Sequence, residues 1–231
     1  MTLTFPLHCI GPFQTVRVDP GVPGDFEELN PIVSAAGIRL PVILPDRLTF
    51  DSRLGKGTSF EVNREVFDPP SNRSPYYVAV KHVIPAPEAP LEDQVKHRRR
   101  RNDSMTRELR ALTNLGLVNS SVILPILGYG WDNSPFGRRP YIVVDYSEHG
   151  TLTEYLRRVR STTAERRELA LDVAVGLKVL HDNHIAHGDL KPSNVLVFDA
   201  EDLNRPQMAK LADFGEPQSL KTTSSSLLST P

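Results

Sequence analysis

The 231-residue sequence contains a single cysteine, Cys9. One cysteine cannot form a disulfide within the chain, so a disulfide-stabilised scaffold is excluded and a reducing compartment, cytoplasmic or nuclear, is expected. An excess of charge of one sign is also missing, because 27 Lys and Arg residues nearly balance 28 Asp and Glu residues. No overall field therefore favours nucleic acid or anionic lipid, and any phosphate binding must come from local groups.

Long apolar runs are missing as well. No stretch approaches about 18 consecutive apolar residues, and the N-terminus has no basic segment followed by an apolar one. We therefore expect an intracellular protein with no membrane association. The apolar fraction of 39% is that of an ordinary globular chain.

The pattern of residues divides the chain into three parts. Residues 1–45 are rich in proline and glycine, which disfavours long regular elements, and we interpret them as a leader. Residues 46–146 contain short strand-like runs and one helix, whereas helical spacing dominates the beginning of residues 147–231. A sheet-rich part followed by a helix-rich part predicts an α+β fold with two lobes and a cleft between them.

Apolar periodicity predicts the individual elements. The predicted strands lie at residues 48–54, 60–67, 76–81, 123–129, 141–146, 195–198 and 208–212. A helix is predicted after Asp103 or Ser104, and two more at residues 151–160 and 163–183. In the longest helix, the residues expected on the buried face are Leu169, Val173, Leu177 and Leu180.

The turn Gly55-Lys56-Gly57 separates the first two predicted strands. Glycines in such a turn let backbone amides approach a polyphosphate closely, although an ordinary hairpin turn has the same composition. Lys81 ends the third strand, where its ammonium can hold phosphate oxygens. Glu108 shares a helical face with Met105 and Leu112, so its carboxylate needs a cation, and Lys81 is the candidate partner.

A more specific pattern is His187-Gly188-Asp189-Leu190-Lys191-Pro192-Ser193-Asn194. Asp189 can accept a hydroxyl proton, Lys191 can steady a phosphoryl group, and the amide oxygen of Asn194 can bind a divalent ion. Asp213-Phe214-Gly215 follows a short strand and supplies a second oxygen ligand.

The sequence resembles the signature of eukaryotic-type protein kinases. The matching features, in chain order, are the glycine turn, Val78-Ala79-Val80-Lys81, Glu108, the Asp189 loop and Asp213-Phe214-Gly215. The Leu190-Lys191-Pro192 step is similar to Ser/Thr kinases. The resemblance covers about residues 48–231. It implies a β-rich N-lobe, a partial helical C-lobe, ATP and Mg²⁺ as cofactors, and phosphoryl transfer to Ser or Thr of a protein substrate.

The resemblance also implies a role for each matching residue. Asp189 would be the catalytic base, with Lys191, Lys81 and Glu108 as further catalytic residues, and Asn194 and Asp213 would bind the metal. The nucleotide phosphates would contact Lys81 and the turn Gly55-Lys56-Gly57. The adenine would contact apolar residues and the linker between the lobes. The apolar residues are Leu54, Val62, Ala79, Val144 and Leu196, and the linker residues are Asp145 and Ser147.

Three departures from the family pattern stand out. Phe60 replaces the third glycine of the loop, with Ser59 at the usual aromatic tip, and Gly188 replaces the arginine before the catalytic aspartate. After Asp213-Phe214-Gly215 the sequence becomes rich in Ser and Thr and ends at Pro231. We therefore expect a domain truncated after the activation segment, without the helix on which the face of residues 163–183 packs in the family.

Three other interpretations remain open. The chain can be a nucleotide-binding pseudokinase or interaction module without catalysis. The spacing of His181, His184 and His187 is compatible with a shared metal ion. The basic run at residues 96–101 is compatible with a nuclear-localisation or nucleic-acid patch, or with a solvated approach to a helix.

Overall fold

The computed structural model describes residues 33, 37, 40–57, 60–70, 73–84, 103–134, 137–200, 205–214 and 218–219. Most of the predicted leader, the basic run at residues 96–101, Ser59, Gly215 and the Ser/Thr-rich residues 220–231 lie outside the described residues.

A five-stranded antiparallel sheet forms the first half of the fold, with strand order β1-β2-β3-β5-β4. The strands are β1 (Leu48–Lys56), β2 (Phe60–Phe67), β3 (Tyr76–Val83), β4 (Ile126–Ser134) and β5 (Gly137–Asp145). The first three match the predicted strands closely. The last two differ from the prediction, because they extend towards each other into a hairpin whose final pair is Ser134 with Gly137.

Four helices accompany the sheet in the described part of the chain. They are α1 (residues 103–112), α2 (Leu115–Val118), α3 (Leu152–Arg158) and α4 (Thr163–Asp182). Both α3 and α4 begin at a capping box, in which Thr151 pairs with Glu154 and Thr162 pairs with Glu165. These reciprocal bonds satisfy amides that the first helical turn leaves free.

Two short antiparallel strand pairs complete the second half. One pairs β6 (Ile185–Ala186) with β9 (Gln218–Ser219), and the other pairs β7 (Val195–Asp199) with β8 (Gln207–Leu211). A 3-10 helix at Pro192–Asn194 leads into β7, and another at Pro45–Arg47 leads into β1. The loop between β6 and β7 carries the Asp189 motif.

The sheet separates two apolar cores. The main core lies on the α1 face and includes Met105, Leu109, Leu180 and Leu211, so it joins both halves of the chain. The outer core lies on the opposite face and consists of Ile43, Phe67, Val78, Val80, Tyr141 and Val143. The extended residues 41–43 close this outer core, since Ile43 donates its N–H to the Tyr129 carbonyl (2.8 Å) and accepts from the Tyr141 hydroxyl (2.6 Å).

The buried face of α4 contains the four predicted residues, which lie in or pack against the main core, and two further positions. Leu169 and Leu180 are buried as expected, but between them the fully buried positions are Asp172 and Gly176, with Val173 and Leu177 only partly buried. The buried leucines belong to the main core together with β7 and β8 residues, so this face packs within the chain itself.

Close contact with β8 explains why Asp172 and Gly176 are also buried. A Cβ atom on Gly176 would come within 2.8 Å of the Leu211 side chain, so a larger residue there would require Leu211 to shift. Asp172 accepts hydrogen bonds from the Ala209 N–H (2.7 Å) and from Arg205. Among the described residues, no helix has the length and apolar character that crossing a membrane requires.

Candidate active site

The side chain of Lys81 on β3 meets the side chain of Glu108 on α1. The Lys81 Nζ donates to both carboxylate oxygens of Glu108, at 2.6 and 2.8 Å. The two side chains are 8% and 2% exposed. Because an unpaired charge at such depth costs several kcal/mol, each group requires the other, as the sequence predicted.

The protonation of this pair follows from its surroundings. Burial alone would lower the pKa of Lys81, but the carboxylates of Glu108 and Asp213 outweigh it and raise that pKa. Burial raises the pKa of Glu108, and the Lys81 ammonium opposes this effect. Lys81 therefore carries a fixed positive charge at neutral pH.

Asp213 brings a second carboxylate to the same ammonium. Its Oδ1 lies 3.2 Å from the Lys81 Nζ, and its side chain is 47% exposed. The φ of Asp213 is 60°, in the left-handed region that residues other than glycine rarely adopt. Buried Ala212 and Phe214 on either side hold this conformation, which keeps the carboxylate in the cleft.

The Asp189 loop is anchored to the segment that carries Asp213. The rings of His187 and Phe214 lie with centroids 5.3 Å apart, and both are buried. The Ala212 N–H also donates to the Asn194 carbonyl at 2.9 Å. Burial lowers the pKa of His187, so its ring packs as a neutral group.

Asp189, Lys191 and Asn194 form a hydrogen-bonded group on this loop. The Lys191 Nζ lies 2.6 Å from the Asp189 Oδ2, and the Asn194 Nδ2 donates to the same oxygen at 3.0 Å. The hydrogen bond from Lys191, followed by that from Asn194, lowers the pKa of Asp189. The carboxylate is half exposed, so it is ionised at neutral pH and accessible from the cleft.

The residues present fit a divalent cation with oxygen ligands. Asn194 uses its amide nitrogen to bind the backbone oxygen and the Oδ2 of Asp189, which directs its amide oxygen to the opposite side. Asp213 offers one oxygen to Lys81 and carries a second. Carboxylate and amide oxygens are ligands that Mg²⁺ accepts.

The histidine alternative has no support from the geometry. Within the described ranges, no group of three or more His, Cys, Asp or Glu side chains could hold a metal ion. His187 packs instead against Phe214.

Four of the apolar residues predicted to sandwich a base belong to the main core or pack against it. Ala79 on β3 pairs with Val144 on β5, and both belong to the main core. Val62 and Leu196 are partly buried against the same core. Leu54 is 47% exposed, so it lies at the rim of this group.

Asp145 is the last residue of β5, and Ser147 lies in the linker that follows it. Burial raises the pKa of Asp145, against the opposing effect of Lys210. The buried Ser147 hydroxyl donates towards the Val197 carbonyl and accepts from the Gly150 N–H at 3.0 Å. The side chain of Ser147 is therefore engaged within the protein.

The glycine turn joins β1 to β2. Gly55 pairs with Val62, Lys56 pairs with Glu61, and the Gly57 N–H donates to the Phe60 carbonyl at 2.8 Å. A Cβ atom on Gly55 would meet no atom within 4 Å, so packing gives no reason for glycine there. Close approach of a ligand to the backbone gives such a reason.

Two residues beside the site were missed in the sequence analysis. The Phe60 ring lies under the Lys81 ammonium, 5.0 Å from Nζ to the ring centroid. Arg64 lies between the rings of Tyr77 (4.7 Å) and Tyr146 (5.5 Å) and donates to the Tyr146 hydroxyl at 3.2 Å, which ties the linker to β2. The signal in the sequence was their shared face with Val62, since residues two apart on a strand face the same side.

Comparison with known proteins places this geometry in context. A family model described as "Protein kinase domain" matches residues 48–231. The chain is 32% identical over 149 residues to the leucine-rich repeat receptor-like serine/threonine/tyrosine-protein kinase SOBIR1 of Arabidopsis thaliana, covering 60% of this chain and 21% of the relative. It is 27% identical over 122 residues to the serine/threonine-protein kinase PknB of Mycobacterium tuberculosis, covering 52% of this chain and 18% of the relative.

A third relative is the calmodulin-binding receptor-like cytoplasmic kinase 1 of Arabidopsis thaliana, 41% identical over 85 residues, or 34% of this chain and 17% of the relative. The matched segments thus span about a fifth or less of these relatives. The family model, in contrast, covers most of this chain and includes the sheet, the Lys81 pair and the Asp189 loop. The chain therefore belongs to the protein kinase family.

Proposed function

We propose that this chain binds ATP with Mg²⁺ and transfers the γ-phosphoryl group to Ser or Thr hydroxyls of a protein substrate. The observation that carries the proposal is the meeting of three elements at one ammonium: Lys81 on β3 binds Glu108 on α1 and Asp213 after β8. This arrangement places a fixed cation next to an accessible carboxylate, as phosphoryl transfer requires.

Binding of the nucleotide divides among the described residues. The adenine lies between Val62 and Ala79 on one side and Leu196 on the other, with Val144 behind it and Leu54 at the rim. The backbone of residues 145–147 contacts its polar edge, and the Gly55–Gly57 turn and Lys81 hold the phosphates. The shared core of the apolar residues and the open space above Gly55 support this assignment.

Asp189 acts on the substrate hydroxyl. As the hydroxyl oxygen attacks the γ-phosphorus, its proton passes to the Asp189 carboxylate and the bond to the ADP oxygen breaks. The lowered pKa of Asp189 keeps the carboxylate ionised and able to accept the hydroxyl hydrogen. Lys191, 2.6 Å from Asp189, is near enough to steady the transferring group.

Asn194 and Asp213 would hold Mg²⁺, which neutralises charge on the phosphate oxygens when bound. The hydrogen bonds from Asn194 to Asp189 also fix the loop, so the residue that would bind the metal positions the base as well. We also propose that the chain has three parts: a leader at residues 1–45, an N-lobe at residues 46–146 and a partial C-lobe at residues 147–231. The lobes are divided at residue 146 because the linker there lies between the sheet and α3.

In this proposal the chain is intracellular, in the cytoplasm or the nucleus. The single cysteine supports this assignment. One relative carries the word cytoplasmic in its name.

Asp189→Asn tests the reaction. The amide cannot take the hydroxyl proton, so we expect phosphate transfer to a generic Ser/Thr substrate to fall by about a hundredfold or more, while the Kd for ATP stays within about twofold. The control is Asp182→Asn, because Asp182 is an exposed partner of Lys178 far along α4.

Transfer is measured with labelled ATP and binding by titration. Equal transfer by Asp189→Asn and wild type would contradict the assigned base. ATP binding by the wild type without any transfer would instead support a non-catalytic nucleotide-binding module.

A further inference from the structure

Phe60 occupies a position from which its side chain must point into the cleft. It begins β2 and pairs with Val83, while Val62 pairs with Lys81. Paired residues of antiparallel strands face the same side, as do residues two apart on one strand. Phe60 and Lys81 are therefore diagonal neighbours on the cleft face, within reach of an aromatic side chain.

The ring is packed against the ammonium. Its centroid lies 5.0 Å from the Lys81 Nζ, within the range of a cation–π contact. Although Phe60 follows a surface turn, it is only 9% exposed and belongs to the main core, which also includes Val83 and Met105. The Phe60 ring is therefore buried in the core although the residue lies next to the turn.

The three N–H donors of the ammonium are all engaged. Its three hydrogen bonds reach both oxygens of Glu108 and the Oδ1 of Asp213, and the Phe60 ring covers a further side. The Lys81 side chain is 8% exposed. Phosphate oxygens can reach Lys81 only if one of these neighbours moves. The Phe60 ring is the neighbour that carries no charge, and it lies next to the glycine turn.

We propose that Phe60 is a gate on the phosphate side of the nucleotide site, which selects against phosphorylated nucleotides relative to the nucleoside until the ring moves away from Lys81. The inference rests on the proposed function, since it concerns the same ATP site. Val62 and Ala79, which are proposed to contact the adenine, lie further from the glycine turn along β2 and β3 than Phe60 and Lys81 do. The gate therefore acts on the phosphates.

The test compares Mg-ATP with adenosine on the full chain. We expect Phe60→Gly to lower the Kd for Mg-ATP about fivefold or more, and to change the Kd for adenosine by less than about twofold. Phe60→Leu keeps apolar volume in the core but removes the aromatic face. It should lower the Kd for Mg-ATP by about threefold.

The matched control is Phe67→Leu. Phe67 ends the same strand, is also 9% exposed, and lies in the outer core on the other face of the sheet. This substitution should leave the ratio of the two Kd values unchanged. Partial unfolding of a variant does not change the ratio of the two Kd values, because a smaller folded fraction raises both apparent Kd values by the same factor.

Three outcomes are decisive. A rise in the ratio of adenosine Kd to ATP Kd in both Phe60 variants, but not in Phe67→Leu, supports the gate. An unchanged or lower ratio, with adenosine still bound, overturns the gate and leaves the ATP site standing. If neither ligand binds the wild type or any variant, the proposed ATP site is wrong and the gate falls with it.

Discussion

At the scale of single residues, the Lys81 ammonium links the stability of the fold to the proposed ATP site. Its hydrogen bonds to Glu108 and Asp213 are internal, and Glu108 is 2% exposed. Removing the cation therefore leaves a buried carboxylate unpaired, whereas replacing both residues by apolar ones leaves no unpaired charge. The two changes have different costs, because the penalty comes mainly from the unpaired charge.

We expect Lys81→Met to lower the free energy of unfolding by about 3 kcal/mol and to weaken ATP binding about tenfold. The double variant Lys81→Met/Glu108→Leu should recover most of the stability, since an apolar pair replaces the ion pair, but none of the ATP affinity. Urea unfolding and ATP titration measure the two effects separately. Wild-type affinity in the double variant would show that Lys81 does not contact the nucleotide.

Ser147 separates side-chain from backbone roles in the linker. Its hydroxyl bonds the Gly150 N–H and the Val197 carbonyl, so Ser147→Ala should lower the free energy of unfolding by about 1 to 3 kcal/mol. The Kd for adenosine should not change, because the linker contacts the base through its backbone. Chemical denaturation and adenosine titration test this, and a large loss of adenosine affinity in a folded variant would assign the base contact to the hydroxyl.

At the scale of elements, a charged group ties the β4–β5 hairpin to β2 and β3. His82 on β3 lies 2.9 Å from the Glu65 carboxylate and 3.6 Å from that of Asp132, and its ring packs against Tyr141. Arg139 binds Asp132 at 2.6 Å. Burial alone would lower the pKa of His82, but the two carboxylates outweigh it and raise that pKa.

The raised pKa of His82 makes stability depend on pH. Its protonated form contributes fully below the unfolded pKa of about 6.5, and the contribution is lost as pH rises through the folded pKa. The pKa of Asp132 is lowered to about 2, where burial is outweighed by His82 and Arg139, so Asp132 stays ionised throughout this range.

Between about pH 6 and pH 9, wild type should lose about 1 kcal/mol more stability than His82→Gln. Urea unfolding at several pH values measures the difference in slope. His181→Gln is the control, since His181 is exposed at the end of α4 and should retain the wild-type slope. Parallel curves for wild type and His82→Gln would contradict the charged state of His82.

The strands were predicted correctly from sequence where apolar and polar residues alternate. Strand ends were missed where strand formation depends on pairing with the neighbouring strand. The far ends of β4 and β5 contain Asp132, Arg139 and Pro140, which do not show a strand pattern. They form a ladder because the hairpin brings Asp132 opposite Arg139. Cross-strand pairs of this kind are visible only once the register is known.

The same limit applies to α4 and to the site. Hydrophobic spacing correctly placed Val173 and Leu177 against the main core, but the burial of Gly176 and Asp172 depends on the close approach to β8 and on the hydrogen bond from the Ala209 N–H. In the site, motif spacing was sufficient to predict the pair of Lys81 and Glu108. For the Phe60 ring and Lys81, the sequence indicates at most a shared face of the sheet, because a side-chain rotamer packed in the core decides the contact itself.

At the scale of the whole molecule, the main core runs through both halves. It contains Met105 and Leu109 from α1 beside the sheet, and Leu180 and Leu211 from α4 and β8. The backbone also joins the halves, since Leu124 donates its N–H to the Leu211 carbonyl (2.9 Å) and Leu211 donates to the Val122 carbonyl (2.9 Å). A shared core of this kind should make unfolding of the described parts cooperative.

Leu180→Ala tests this cooperativity. Leu180 is 0% exposed, so truncation should lower the free energy of unfolding by about 2 to 5 kcal/mol. Leu171→Ala is the matched control in the same helix, because Leu171 is 55% exposed and its loss should cost less than about 0.5 kcal/mol.

The single tryptophan, Trp131 on β4, reports on the sheet, while circular dichroism reports mainly on the helices. In Leu180→Ala both signals should shift to the same lower urea midpoint, because the change in α4 weakens the core that the sheet shares. If the Trp131 transition stays at the wild-type midpoint while the helical signal shifts, the two halves unfold independently and the shared core does not couple them.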